Sequence, residues 1–288
     1  MIMRSFIIWV FAVLITLSAV VYQRLTGPTN PKRVEFTLDG VVYKCKFPRS
    51  METPVTLSQA ASDSFIFSHQ TPFDIEIDPN QEEITLKIMY RRYPGEDSLK
   101  VSTSVYSDGK YTLSLPSQPP AGKIIYYPVF EKGETSVVIE RESGIITRFK
   151  SPVPSSLLIP HVILMFMAML LSNFTGLAAI FSDKKIARHA LLVIVVLGAG
   201  GLILGPAVQK FAFGEYWTGW PFGGDLTDNK TLVAFLFWVA AWFFNRKQSR
   251  RYLYIIAAAV MLMVYCIPHS TAGSEYDYEK GSVVTGRN

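Results

Sequence analysis

The sequence predicts a membrane protein in three parts: an N-terminal transmembrane helix, an antiparallel β-sandwich domain outside the cytoplasm, and a bundle of four further transmembrane helices. Three observations predict it. Long uncharged runs bracket a polar middle segment. That middle segment alternates apolar and polar residues with period two. The excess of positive charge, +5 over the chain, gathers in short loops between apolar runs. Such loops mark membrane orientation by the positive-inside rule, and nucleic acid is excluded as the partner they serve.

The first apolar run, residues 6–21, follows Arg4 and ends at Tyr22. A bilayer core needs about 20 mainly apolar residues, so this run is near the limit. A cleaved signal peptide is the competing reading, but Val20, Val21, Tyr22 and Gln23 make a poor cleavage site. Residues 1–23 are therefore read as an anchor with its N-terminus in the cytoplasm.

The exported domain spans residues 24–156. Val34, Phe36 and Leu38 alternate with polar residues, Asp39-Gly40 turns the chain, and Val42, Tyr43 and Cys45 follow. An Asp-Gly pair between alternating runs signals a hairpin. A second hairpin runs over residues 99–106 and 111–115 around Asp108-Gly109. Further strands are expected at 73–77, 84–93, 123–130, 136–140 and 145–149, with residues 48–71 unassigned. The two cysteines, Cys45 and Cys266, fall in different parts of the chain, which excludes a disulfide framework and a cysteine zinc site.

Three stretches carry a resemblance: Ile84-Thr85-Leu86-Lys87-Ile88-Met89-Tyr90-Arg91, Asp108-Gly109-Lys110-Tyr111-Thr112-Leu113-Ser114-Leu115-Pro116, and Ile125-Tyr126-Tyr127. Together they resemble an immunoglobulin-like or fibronectin type III-like module. The resemblance implies a two-sheet sandwich that serves as a spacer or binding platform, and it implies no chemistry. The antibody-type disulfide is absent from it. No serine-histidine-acid set, phosphate loop or metal spacing is visible in this domain.

Four apolar runs follow, at 157–181, 190–208, 231–244 and 252–267. The third is short and rich in Phe and Trp. Basic loops, Ser182-Asp183-Lys184-Lys185-Ile186-Ala187-Arg188 and Asn245-Arg246-Lys247-Gln248-Ser249-Arg250-Arg251, join the first pair and the last pair. They belong in the cytoplasm. Five passes then alternate without contradiction. The β domain, the loop 211–230 and the tail 269–288, expected to be disordered, fall outside. With no eukaryotic targeting or disulfide features, the inner membrane of a bacterium is the expected location. Gly198, Gly201 and Gly205 let helix backbones approach closely. They pack within the bundle, with Ala257, Ala258 and Ala259 as a complementary surface, or they pair two copies of the chain.

Two groups could carry chemistry. His161 and His269 lie at one depth on the outer face, each after a proline, where two imidazoles could ligate a b-type haem or a metal. The outer loop concentrates Glu215, Tyr216, Trp217, Trp220, Asp225 and Asp228 among glycines and proline. An aromatic belt explains the rings, and Thr227 or Asp228 serves as a helix N-cap. A structured lid over the bundle mouth would also explain the acids, glycines and proline, with the acids paired to Lys210 or Lys230 or bound to a cation. Asn229-Lys230-Thr231 has the form of a glycosylation acceptor but abuts a helix start. The expected function is non-catalytic binding or assembly in the cell envelope. Alternatives are a haem-carrying redox subunit, or a membrane enzyme or transporter with its site under the outer loop.

Overall fold

A computed structural model of the chain describes residues 2–54, 69–80, 82–181, 186–268 and 273–285. Three helices are long and apolar enough to cross a membrane: Met3–Thr26, Ser155–Ile180 and Ile186–Phe213. The molecule also carries several β-sheets. It is thus a membrane protein with a β domain.

Helix α1 (Ile2–Thr26) leads into that domain. Strands β1 (Lys32–Leu38) and β2 (Val41–Phe47) form the expected hairpin, in register from Lys32 opposite Phe47 to Leu38 opposite Val41. At its turn Asp39 and Gly40 both take positive φ, which the twist of a tight hairpin demands. Strand β3 (Ser50–Glu52) follows, then β4 (Gln70–Ile75), β5 (Ile77–Asp78), β6 (Thr85–Tyr93), β7 (Lys100–Thr103), β8 (Val105–Ser107) and β9 (Lys110–Pro116). Strands β10 (Lys123–Lys132), β11 (Thr135–Val138) and β12 (Ile145–Lys150) complete it.

These strands form three sheets, ordered β1-β2-β5, β4-β9-β8, and β3-β12-β10-β6-β7 with β11 beside β10. Side chains from all three meet in one core: Phe36 and Tyr43 from the first, Ile75 and Leu113 from the second, Leu86, Tyr126 and Phe130 from the third. Alternation explains it, since one face of each strand is apolar and the other polar. The Tyr126 hydroxyl, deep in this core, donates to the Pro48 carbonyl at 2.7 Å.

Two expected strands are divided. The run 99–106 breaks at Ser104, so that β7 pairs with β6 and β8 with β9. The run 73–77 breaks at Glu76, so that β4 pairs with β9 and β5 with β2. In both places one extended segment leaves one sheet and enters another, as strands do at the corners of packed sheets. The pairing is also not antiparallel throughout: β3 lies parallel to β12, with Phe149 opposite Met51.

Helix α2 (Ser155–Ile180) returns across the molecule. The next span is not one regular helix. Helix α3 (Ile186–Leu197) opens into a π-helical segment, Gly198–Leu204, and resumes as α4 (Gly205–Phe213). Helices α5 (Leu226–Phe244) and α6 (Tyr252–Cys266) follow. Helix α5 starts five residues before the expected run, because Asp225 caps it, rather than Thr227 or Asp228. The tail is not without structure: β13 (Glu275–Asp277) and β14 (Ser282–Val284) form a hairpin that docks on the β domain, with Tyr276 N–H on the Ala121 carbonyl.

Helix contacts fix which ends lie together. Trp9 stacks on Phe174 with ring centroids 4.2 Å apart, and Asn173 Nδ2 donates to Thr16 Oγ1 at 3.0 Å. Arg4 bonds the Phe181 carbonyl. The expected partner of the alanine run also differs. Gly176, not the Gly198–Gly205 stretch, faces Ala258, and a Cβ there would stand 2.5 Å from the Ala258 Cβ. Gly200 and Gly201 are buried instead against Met165 and Thr231 of the same chain.

Candidate functional site

The β domain meets the helices at one end, where the chain leaves α1, enters α2, leaves α4, enters α5 and leaves α6. Ser151 N–H donates to the Ala212 carbonyl at 3.0 Å, joining the strand exit to the end of α4. Beside it Arg148 of β12 lies 3.9 Å over the Phe213 ring.

The centre of this junction is a three-way joint. Ser274, just ahead of the C-terminal hairpin, is held from both sides. Its N–H donates to Asp225 Oδ2 at 3.0 Å, and its carbonyl accepts from Arg148 at 2.6 Å. Asp225 Oδ1 meanwhile accepts Thr227 N–H at 2.8 Å, and Oδ2 also takes the Thr218 hydroxyl at 3.1 Å. One carboxylate therefore caps a helix, braces the outer loop and grips the tail. Burial pulls the Arg148 guanidinium down to about 10, while the negative charges of Asp225 and Glu275 hold it up. It stays cationic at neutral pH. Lys123 and Glu275 form an ion pair one residue further along the hairpin.

The expected loop residues divide into two groups. Asp225 and Asp228 are only 5% and 6% exposed and are occupied with the loop's own backbone. Asp228 Oδ2 accepts Thr218 N–H at 2.7 Å. Asn229, of the glycosylation-like triplet, accepts Trp220 N–H at 2.6 Å. Trp217 Nε1 donates to the Trp220 carbonyl. The loop is accordingly a folded element, and a Cβ on Gly219 would stand 2.6 Å from the Asp228 Cβ. Glu215, Tyr216 and Trp220 belong to the other group and are exposed, Trp220 at 69% beside Phe222 at 81%. Lys210 does not pair with these acids: it donates to the Gly214 carbonyl and lies over the Tyr216 ring. Lys230 likewise donates to the Ile267 carbonyl.

His161 is the second expected group. Its Nδ1 lies 2.9 Å from the carbonyl of Gly200, in the π-helical segment. That carbonyl also accepts Gly205 N–H across the widened turn. His269 lies outside the described residues, so the pairing of the two histidines does as well. Among the described residues no group of three or more His, Cys, Asp or Glu side chains is placed to hold a metal ion.

Under the loop is a cavity of about 130 Å³, walled by Arg148, His161, Gln209, Asp225, Asp228 and Thr231. The Arg148 Nε–H is buried at this junction without a hydrogen-bond partner among the described residues. A buried donor left unmade costs ~1–3 kcal/mol. Arg148 and Ser274 were not marked in the sequence. Arg148 lies on the face of β12 turned away from the core, with Ile146 and Lys150, where an arginine in an alternating strand gives no signal of a site.

Comparison with known proteins returned no matching family model, no matching curated protein and no matching solved structure.

Proposed function

We propose that this is a five-pass protein of a bacterial inner membrane, with its N-terminus in the cytoplasm, that holds an immunoglobulin-like β module rigidly at the outer surface as a platform for binding or assembly. Catalysis is not part of this reading. The observation that carries it is the joint at Ser274. The three segments that the charge pattern assigns outside are the β domain, the loop before α5 and the tail after α6. They meet through Arg148, Asp225 and Ser274 at one end of the helices. The polar groups of that joint serve mainly one another, which suits a mount better than an active site. Helices α5 and α6 are shorter or carry charge in the first turn, and their packing against the long helices supports counting them as passes. One shared core behind several sheets supports the sandwich reading.

Single-cysteine labelling in intact cells tests the topology. A membrane-impermeant maleimide should modify a cysteine placed at Asp108 and spare one placed at Lys247. The reverse pattern would remove the proposal. A second reading, a small-solute site under the outer loop, draws on the cavity that Arg148 lines. Arg148→Met with folding retained but a cellular phenotype lost would favour that reading.

A further inference from the structure

Strand β7 is the last of its sheet, and its outer edge is open among the described residues. Its register with β6 sets Val101 opposite Met89 and Thr103 opposite Lys87, while Ser104 N–H donates to the Leu86 carbonyl. In an antiparallel ladder the residues between such bonded positions turn their own N–H and C=O the other way. Val101 and Thr103 therefore point these groups off the sheet, where no described residue meets them. Proteins guard such edges with lysine, proline or a bulge. The lysine of this strand, Lys100, belongs to the opposite face with Tyr90. Along the open edge Leu99 and Val101 are instead 50% and 60% exposed.

The apolar character continues inward from that edge. Register carries one row from Val101 to Met89 and Tyr127, and the next from Arg91 to Ile125 and Ile146. These rows lie on the face turned away from the core, because Leu86, Ile88 and Tyr126 fill the core from the alternate positions. The outer face of a sandwich sheet is ordinarily polar. Arg91 stands in this band half-buried, and it makes no side-chain hydrogen bond or ion pair with a described residue. Acids on the same face are already taken, Glu131 by Lys87 at 2.7 Å and Glu52 by Lys150 at 3.7 Å. A second copy of this chain would bring the same engaged acids and the same guanidinium, so charge selects a different occupant. The open edge calls for an extended chain, the apolar band for apolar side chains at alternate positions, and Arg91 for a carboxylate among them. We propose that β7 takes up an extended segment of another protein by strand addition, with apolar residues flanking one Glu or Asp that meets Arg91. The added strand would lie about 10 Å from β6, a span that an arginine and a glutamate can close over β7.

This gives the platform proposed above its partner chemistry and rests on that reading for the side on which the partner lies. Peptide binding by the purified chain tests the edge alone, whereas the labelling pattern tests the side. The probe is a fluorescent heptapeptide with threonine at its odd positions and valine, glutamate and valine between them. It is titrated by anisotropy into the full chain in nanodiscs. Saturable binding is expected, with slowed hydrogen exchange in the fragment carrying Val101 and Thr103. Val101→Pro removes an outward N–H and no bond to β6, so it should keep the native unfolding midpoint and weaken binding about ten-fold or more. Arg91→Gln leaves the ladder untouched and should weaken binding by about the same factor, and it should no longer distinguish the probe from a version with glutamine in place of glutamate. Arg33→Gln, the same charge change on an exposed position of the first sheet, should bind as the unaltered chain does. Absence of saturable binding, or binding that survives either of the first two substitutions, overturns the proposal. A dimer in native mass spectrometry that Val101→Pro converts to monomer also overturns it, by giving the edge to a second copy.

Discussion

Asp225→Asn isolates the joint from the helix it caps. Asparagine is as good an N-cap as aspartate, so helix α5 itself should not suffer. What changes is the count of acceptors. The carboxylate accepts from two backbone N–H groups, Thr227 on one oxygen and Ser274 on the other. An amide has one oxygen. Either orientation leaves one buried backbone N–H facing an NH2 group, at ~1–3 kcal/mol. Removal of the negative charge near the buried Arg148 guanidinium adds about 1 kcal/mol. The joint should weaken by about 2–4 kcal/mol, which speeds amide exchange governed by local opening by about 30- to 1,000-fold. Hydrogen–deuterium exchange of the peptides carrying Thr227 and residues 274–278 reads this directly. Glu215→Gln, on the exposed side of the same loop, should leave both peptides at the native rate. Unchanged exchange in both peptides of Asp225→Asn would refute the argument that this carboxylate fastens the tail.

Four further outcomes follow from the packing. Burial pushes the Cys45 thiol up to about 12, so in a Cys266→Ser background it should resist iodoacetamide at neutral pH and react only on unfolding. Its ionisation is confined to the unfolded chain above the usual value of 9.0, so it subtracts stability as pH rises beyond that point. Gly176→Ala should lower the unfolding midpoint in detergent, because the new methyl meets Ala258 at 2.5 Å and α2 and α6 must part at a cost of ~1–3 kcal/mol; an unchanged midpoint would contradict the close approach. Hydrogen bonds from Lys32 and Ser143 hold the Glu140 carboxyl below its usual range. Its contribution is present above the ordinary value near 4.5 and lost as pH falls below it; the pair is partly exposed, so Glu140→Gln should flatten only a slope worth under about 1 kcal/mol in acid denaturation. Intact-mass measurement of the purified chain should show α1 retained, since Thr16 and Trp9 are matched to Asn173 and Phe174 across it.

Local chemistry decided which parts of this molecule were legible beforehand. The Asp39-Gly40 and Asp108-Gly109 turns were readable because positive φ at two successive residues is a demand few sequences meet. The breaks at Ser104 and Glu76 were not readable. Alternation tells which face a residue takes but not which neighbouring strand pairs with it. The cap of α5 was placed two or three residues late because Asp225, Thr227 and Asp228 are all good cap types, and only the fold selects among them. The C-terminal hairpin escaped notice because each strand has only three residues, too few to show an alternating pattern. At the site, the acids of the outer loop were marked but not their partners. Arg148, Asp225 and Ser274 are far apart in the chain, and no short-range pattern encodes their meeting.

The fastening at Ser274 has a bearing on how the molecule is made. The β module is translated early, yet the residue that locks it in its seat is made only after α6. During synthesis the module is therefore made without this fastening, and the contacts of Ser274 with Arg148 and Asp225 form only in a late step. A chain halted anywhere before Ser274 would carry a folded module on a loose mount, open to proteases along β12 and the loop it should cover.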